Sequence, residues 1–97
     1  MNVEIRNELL RKKGEELIQK SLEMNVKLNL ILTELENLSS HWNSKAGIAY
    51  ITMVKDKIVM PLQNLKDILQ TKGEYMINVA KTYSLFEEYY YNFKIID

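Results

Sequence analysis

The stretch "HWNSKAGIAY", residues 41–50, decides the fold because it is the clearest break between two long segments with helical periodicity. It contains the only tryptophan and the only histidine of the 97-residue chain. Short polar side chains favour helix caps over helix interiors, so Asn43 or Ser44 is suited to cap a following helix. A large indole is unusual in a turn, where small or polar residues prevail. We therefore expect Trp42 either to close the end of a helical hairpin or to form a surface that another molecule recognises.

Apolar residues recur every seven positions on both sides of this break. A repeat sustained over such a length indicates helices that pack at shallow angles, as in bundles and coiled coils. In the first half, one heptad position holds Val3, Leu10, Leu17, Met24, Ile31 and Leu38, and the position four residues later holds Leu28, Leu35 and Trp42. In the second half, one position holds Ile51, Ile58, Leu65, Val79, Phe86 and Phe93, interrupted only by Lys72, and the position four residues later holds Leu62, Leu69, Met76, Tyr83 and Tyr90.

This pattern predicts an all-α fold, a hairpin of two long antiparallel helices in a single domain covering residues 1–97. We expect the first helix over about residues 3–39, the turn over about 40–45 and the second helix over about 46–91, followed by a frayed tail. The apolar face of each helix is wider than one seam requires, so a monomer would expose a large apolar surface. Pairing with a second hairpin in a four-helix bundle would cover it.

Two residues interrupt the second helical pattern. Pro61 lacks a backbone N–H and is expected to kink the helix. Gly73, in "TKGEY", is expected to be a second weak point.

The composition excludes several classes of function. Thirteen basic and thirteen acidic residues cancel, so the chain lacks the electrostatic signature of a protein that binds nucleic acid or an anionic membrane. The absence of cysteine excludes disulfides and thiolate metal sites. The charged N-terminal sequence does not resemble a secretory signal peptide, and no apolar run reaches the length of a membrane span. We expect a soluble protein made without a cleaved leader.

The side chains offer little for catalysis. His41 is the sole imidazole, and we expect it to be a solvated residue at a helix end. Paired carboxylates such as Glu15–Glu16, Glu34–Glu36 and Glu87–Glu88 could serve acid–base chemistry, but most lie opposite the apolar stripes, where charges keep a bundle soluble. A di-metal bundle site would need a Glu-x-x-His pair, which the chain lacks. We predict no enzyme activity, no cofactor and no metal.

Two features together resemble the WXG (ESAT-like) family of small type VII secretion substrates. The first is Trp42 with Ser44 at the only helix break, and the second is "YSLFE", in which Tyr83 and Glu87 are spaced i, i+4 on one helix. In that family a Trp-x-Gly turn joins two long helices, and a Tyr-x-x-x-Asp/Glu motif late in the second helix is an export signal that the secretion ATPase reads. Because Ser44 stands where the family motif has glycine, the chain resembles a divergent branch.

The resemblance implies a protein that is made in the cytoplasm and then secreted or carried to the cell envelope. It would be exported as a dimer, either with itself or with a sister chain of the family. A second hypothesis is a dedicated helical partner that supplies the export signal of a larger toxin with a WXG-like N-terminal domain. A third is an unrelated cytoplasmic helical adaptor in which both motifs are coincidental. A separate alternative for Tyr83 itself is a core position, because it lies on the apolar stripe 62-69-76-83-90. Five of the six tyrosines lie from residue 75 onward, which indicates a C-terminal end that docks on a partner. The richness in Lys, Ile and Asn is typical of an AT-rich genome, such as that of a low-GC Gram-positive bacterium.

Overall fold

The chain folds as helices joined by one short turn. The computed structural model describes the backbone of residues 3–96 and the side chains of residues 4–92. Within that part there is no strand, which confirms the all-α prediction, and the helices are consistent with a helical hairpin. The elements are α1 (Val3–His41), α2 (Lys45–Val54), a π-helical segment (Lys55–Val59) and α3 (Met60–Ile96).

The helix ends lie close to the break in the sequence pattern. Residues 42–44 separate α1 from α2, within the predicted turn. At the other end α3 continues to Ile96, beyond the helix end expected near residue 91. The side chains of Val3 and Phe93, both placed on predicted apolar stripes, lie outside the described residues.

The chain divides into two compact units, which we describe separately. The turn unit is Lys20–Leu69, and the terminal unit is Met1–Gln19 together with Gln70–Asp97. Both α1 and α3 contribute to each unit.

The turn unit contains the larger apolar core. Its buried residues are spaced seven apart on α1, so that Leu28 and Leu35 point to one side of the helix. They form a cluster with Ile51 of α2 and with Val59, which is only 2% exposed. Three partly buried residues pack against this cluster: Leu32, Val54 and Leu62.

The π-helical segment changes the register of the second apolar stripe. Ile51 is buried as predicted, but Ile58 and Leu65, predicted to share its heptad position, are 48% and 44% exposed. The next buried residue is Val59, eight positions after Ile51 rather than seven. A π turn inserts one extra residue into an α-helix and rotates everything beyond it. The prediction of one continuous stripe through Ile51, Ile58 and Leu65 was therefore wrong.

Pro61 explains why the irregularity lies at this place. A proline has no N–H to donate, and in a regular α-helix its ring collides with the carbonyl of the residue four positions earlier, here Lys57. The structure has a wider turn immediately before Pro61, in which the N–H of Met60 donates to the carbonyl of Lys55, five residues back. The chain does not reverse there, because α2, the π-helical segment and α3 follow one another without an intervening turn.

The terminal unit is held by a line of small and polar residues. The side chain of Asn7 donates to Ser84 Oγ at 3.5 Å, and Gly14 contacts Gly73. The two segments of this unit therefore run antiparallel. Among its described residues, Ala80 is the only apolar side chain in the buried class.

Gly73 is a contact point and not a weak point. A Cβ on Gly73 would lie 2.6 Å from the carbonyl oxygen of Gly14 and 2.8 Å from Ile18 Cγ1. Helix α3 passes through Gly73 without interruption. The missing side chain is what allows the two backbones to approach, so the sequence-based expectation for Gly73 was wrong.

Polar residues also lie in the seam of the turn unit. Ser21 is 2% exposed, and its hydroxyl donates to the carbonyl of Lys66 at 3.0 Å. Lys66 Nζ donates to Asn25 Oδ1 at 3.4 Å. These bonds satisfy polar groups that the helix pair covers, so the seam contains less apolar surface than the heptad pattern suggests.

Candidate functional site

The indole of Trp42 lies at the turn between α1 and α2. The backbone N–H of Trp42 donates to the carbonyl of Leu38 at 2.9 Å and so extends the last turn of α1. Its ring lies 5.6 Å from the ring of Tyr50, centroid to centroid, with an angle of 43° between the planes, which is a favourable tilted aromatic pair. Trp42 remains 39% exposed. Trp42 therefore packs at the turn, and part of its surface remains exposed to solvent.

Ser44 is the N-cap of α2. Its hydroxyl accepts a hydrogen bond from the N–H of Gly47 at 3.1 Å, and its carbonyl accepts one from the N–H of Ile48 at 2.9 Å. Ser44 has φ −68° and ψ 165°, the extended conformation that an N-cap residue adopts. Of the two cap candidates, Asn43 and Ser44, the structure selects Ser44.

The turn does not need a glycine at position 44. None of the described residues has a positive φ, and Ser44 lies in a region that any L-amino acid occupies without strain. The substitution of serine for the glycine of a Trp-x-Gly motif is therefore compatible with this backbone, and it adds a cap that glycine cannot supply.

Gly47 supports the tryptophan, a role that was not predicted from the sequence. A Cβ on Gly47 would lie 2.7 Å from Cγ of Trp42, closer than real side chains approach each other, so the indole rests directly on the backbone of α2. Glycine is unfavourable inside a helix. A glycine in the first turn of α2, five residues after the only tryptophan, is the sequence feature that could have predicted this contact.

His41 is exposed at the end of α1. Its Nδ1 lies 2.9 Å from the carbonyl oxygen of Asn37 and 3.0 Å from Ser40 Oγ. Both partners are local groups of the last helical turn. This environment fits a helix-end residue and brings no acid or nucleophile of another element to the imidazole.

Tyr83 is exposed on α3 in the terminal unit. It is 55% exposed, so the alternative that it is a core residue was wrong. It borders a hollow on the outer face of α3, and it also borders a second hollow with Arg6, Asn7 and Leu10 of α1. The hollow on the outer face is lined by Tyr75, Asn78, Val79, Thr82, Tyr83 and Phe86.

Glu87 lies deeper than its neighbour in the motif. It follows Gly73 and Ala80 at spacings of seven, on the buried line of α3. Its Oε1 is buried and has no hydrogen-bond partner among the described residues, although the residue as a whole is only partly buried. The hollow beside it is lined by Glu4, Ser84, Glu87, Glu88, Tyr90 and Tyr91.

Tyr83 and Glu87 are one helical turn apart, as the sequence required, but they border different hollows. The hollow on the outer face beside Tyr83 is lined mainly by apolar and aromatic side chains, together with Asn78 and Thr82, whereas the hollow beside Glu87 is lined by two other acids, two tyrosines and a serine. The arrangement suits two separate contacts with a binding protein, one apolar and one with hydrogen-bond donors or a cation.

The acids of the described residues form no metal centre. No group of three or more His, Cys, Asp or Glu side chains in residues 4–92 is placed to hold a metal ion. The one clear carboxylate perturbation is at Glu8, where the hydrogen bond from Arg11 lowers the pKa. The two side chains form a surface ion pair on α1 and are each about half exposed. None of the described helices is both long and apolar enough to cross a bilayer.

Comparison with known proteins adds no relative. No protein-family model matches the chain, and no curated protein or solved structure matches it.

Proposed function

We propose that the chain is a small WXG-type helical protein that a type VII secretion system exports as a dimer, with itself or with a sister chain. The observation that carries the proposal is the turn. A single tryptophan stands at the junction of two long helices, supported by Gly47 and followed by the N-cap Ser44. An adaptor with no need for this surface would bury the indole or replace it with a small polar residue.

The C-terminal part of α3 supports the second element of the proposal, an export signal formed by Tyr83 and Glu87. Tyr83 is exposed and has the apolar side chains of Val79 and Phe86 along the same hollow, so a secretion ATPase could take the phenol ring into an apolar groove. The Glu87 side chain borders a neighbouring hollow, where a hydrogen-bond donor or a cation of the ATPase could pair with the carboxylate. The proposal assigns no catalytic residue, cofactor or metal.

Exposed apolar side chains support the dimer. Among the described residues, large apolar side chains on both long helices are more than half exposed, including Leu22, Val26 and Leu30 of α1 and Tyr75, Leu85 and Phe86 of α3. Contiguous apolar surface of this kind is typical of a protein–protein interface. The same observation favours the alternative role, in which the chain is a dedicated partner of a larger toxin that has a WXG-like N-terminal domain.

Secretion of point variants tests the proposal in a host with an intact type VII system. We expect Tyr83→Ala and Glu87→Ala each to abolish export, measured by immunoblotting of culture supernatant and cell lysate. Glu88→Ala is the matched control, since it removes the adjacent acid and leaves the i, i+4 pair intact; it should be exported normally.

Stability of the same variants separates a lost signal from a lost fold. Glu87→Ala removes a buried oxygen that has no partner and introduces a better helix former, so it should melt at or slightly above the wild-type temperature. Wild-type secretion of Glu87→Ala would refute the export signal. If the chain is a toxin partner, this variant should also retain the bound toxin inside the cell.

A further inference from the structure

In the turn unit, the side of α1 that faces away from the core carries an exposed apolar row. Its residues are Leu22, Val26 and Leu30, which are 54%, 60% and 61% exposed. Val26 lies two residues before Leu28, which is 3% exposed, and two residues correspond to about 200° around an α-helix. The row therefore lies opposite the buried side of α1, and the turn unit itself leaves it uncovered. Apolar surface of this kind, bordered by polar residues, is typical of an interaction site.

The two edges of this row differ in charge. Glu23 and Lys27 lie along one edge, because each follows a residue of the row directly in the sequence, and both are exposed. The residues that directly precede the row residues form the other edge, which is uncharged: Ser21, Asn25 and Asn29. A partner that covers the row therefore meets one acid and one base along a single edge.

The lysine of the charged edge has no acid of its own chain beside it. Glu23 has Lys20 Nζ at 3.5 Å. Lys27, by contrast, takes part in none of the ion pairs formed within residues 4–92. An acid from a partner would be the first to pair with Lys27.

A second copy of the chain matches the row when its α1 runs antiparallel and Val26 meets Val26. The row is symmetric about Val26, so a two-fold axis at this residue places Leu22 opposite Leu30 of the second copy. The same axis places like edges side by side. Glu23 then lies only two residues, about 3 Å along the helix axis, from the level of Lys27 of the second copy. Because the axis repeats this pair, the interface contains two Glu23–Lys27 pairs between the copies.

A parallel copy lacks this match. It would place the charged edge of one copy beside the uncharged edge of the other, and Glu23 and Lys27 would meet only serine and asparagine. Charge complementarity therefore favours the antiparallel copy.

We infer that a second copy of this chain covers the row Leu22, Val26 and Leu30, with the two α1 helices antiparallel and Glu23 of each copy paired with Lys27 of the other. The row is short, so the interface belongs to the small and weakly bound class. This inference names the partner and the surface of the proposed dimer and to that extent rests on the proposed function. Its tests use purified protein without any secretion system, so it can fail while the export signal stands.

Cysteine cross-linking of the full-length protein tests the register, since the natural chain has no cysteine. Val26→Cys lies on the two-fold axis and should form a disulfide-linked dimer under mild oxidation. Leu22→Cys and Leu30→Cys should cross-link to each other when mixed and only poorly when each is oxidised alone. Thr71→Cys, at an exposed position of α3, is the control and should remain monomeric on a non-reducing gel.

Two cross-linking results would overturn the inference. If Val26→Cys forms no more dimer than Thr71→Cys, a second copy does not cover the row. If Leu22→Cys cross-links to itself as efficiently as Val26→Cys, the helices are parallel.

Charge reversal tests the two ion pairs by sedimentation velocity, at protein concentrations from about 5 to about 500 μM, which suit a small interface. Glu23→Lys and Lys27→Glu each place like charges opposite one another in a dimer of one variant. Each variant alone should therefore associate at least about tenfold more weakly than the wild type, the effect of two lost surface pairs. An equimolar mixture restores opposite charges at both places and should associate about as tightly as the wild type.

Lys81→Glu is the matched control, because it makes the same change of charge at an exposed position of α3; it should associate like the wild type. A mixture that associates no better than its two components would overturn the inference. So would a wild-type protein that stays monomeric over the whole range, because the row would then be left for a different partner. A wild-type dimer that Glu23→Lys leaves unchanged forms through another face; the inference would be wrong, and the proposed export as a dimer would be unaffected.

Discussion

Gly14 and Gly73 contact each other in the terminal unit so closely that a Cβ on either would lie 2.6 Å from the carbonyl oxygen of the other. Neither position requires glycine for its backbone angles, since no described glycine has a positive φ. The requirement is for space between two helices. This contact fixes which sides of the two segments face each other, and it leaves the large apolar side chains of α3 at the edges and on the outside.

Gly73→Ala should destabilise the protein. The added methyl group collides with the Gly14 backbone and with Ile18 Cγ1, and overpacking of this kind costs about 1–3 kcal/mol. The better helix propensity of alanine returns up to about 1 kcal/mol, so we expect a net loss of about 1–2 kcal/mol in urea unfolding. Thr71→Ala, at an exposed position of the same helix, should change stability by less than about 0.5 kcal/mol. A Gly73→Ala protein more stable than the wild type would contradict the close contact.

Adjacent residues test the register set by the π-helical segment. Val59 is 2% exposed and lies in the core cluster, whereas Ile58 is about half exposed. Val59→Ala should cost about 2 kcal/mol through lost burial and the cavity that remains, although it removes fewer atoms than Ile58→Ala. Ile58→Ala should cost less than about 1 kcal/mol. If thermal unfolding showed Ile58→Ala to be more destabilising than Val59→Ala, the uninterrupted heptad would be correct and the extra residue of the π turn would be excluded.

The N-cap predicts different effects for two substitutions of Ser44. Ser44→Ala removes the acceptor of the Gly47 N–H and should lower the free energy of unfolding by about 1 kcal/mol. Ser44→Gly, which restores a Trp-x-Gly motif, should cost only a few tenths of a kcal/mol, since glycine is tolerated at N-caps. Chemical denaturation of the three proteins measures both values. Equal losses of stability in Ser44→Ala and Ser44→Gly would show that glycine is no better tolerated than alanine at this N-cap.

Trp42 is also a spectroscopic reporter, because it is the only tryptophan. Gly47→Ala places a methyl group against the indole and should displace the ring into water, which shifts its emission to longer wavelength. Trp42→Ala removes a side chain that is roughly half buried, and we expect a loss of about 2 kcal/mol, below the range for a fully buried tryptophan. Unchanged emission in Gly47→Ala would show that the indole does not rest on this backbone.

Local features of the sequence predicted the elements and the break between them. Helical periodicity and capping chemistry act over a few residues, so the turn at Trp42 and the cap candidate Ser44 could be found without tertiary information. The i, i+4 relation of Tyr83 and Glu87 is likewise a property of any helix that contains them.

The side of each helix that is buried was decided by tertiary contacts. Heptad counting placed Ile58 and Phe86 on a buried stripe, but the π turn before Pro61 and the close approach of Gly14 to Gly73 rotate other residues inward. Hydrophobicity alone could not indicate this, because the closest helix contact is made where side chains are smallest and not where they are most apolar. For the same reason Tyr83 is exposed and Glu87 lies on the buried line: the sequence determined their spacing along the helix, and packing against α1 determined which of them faces the solvent.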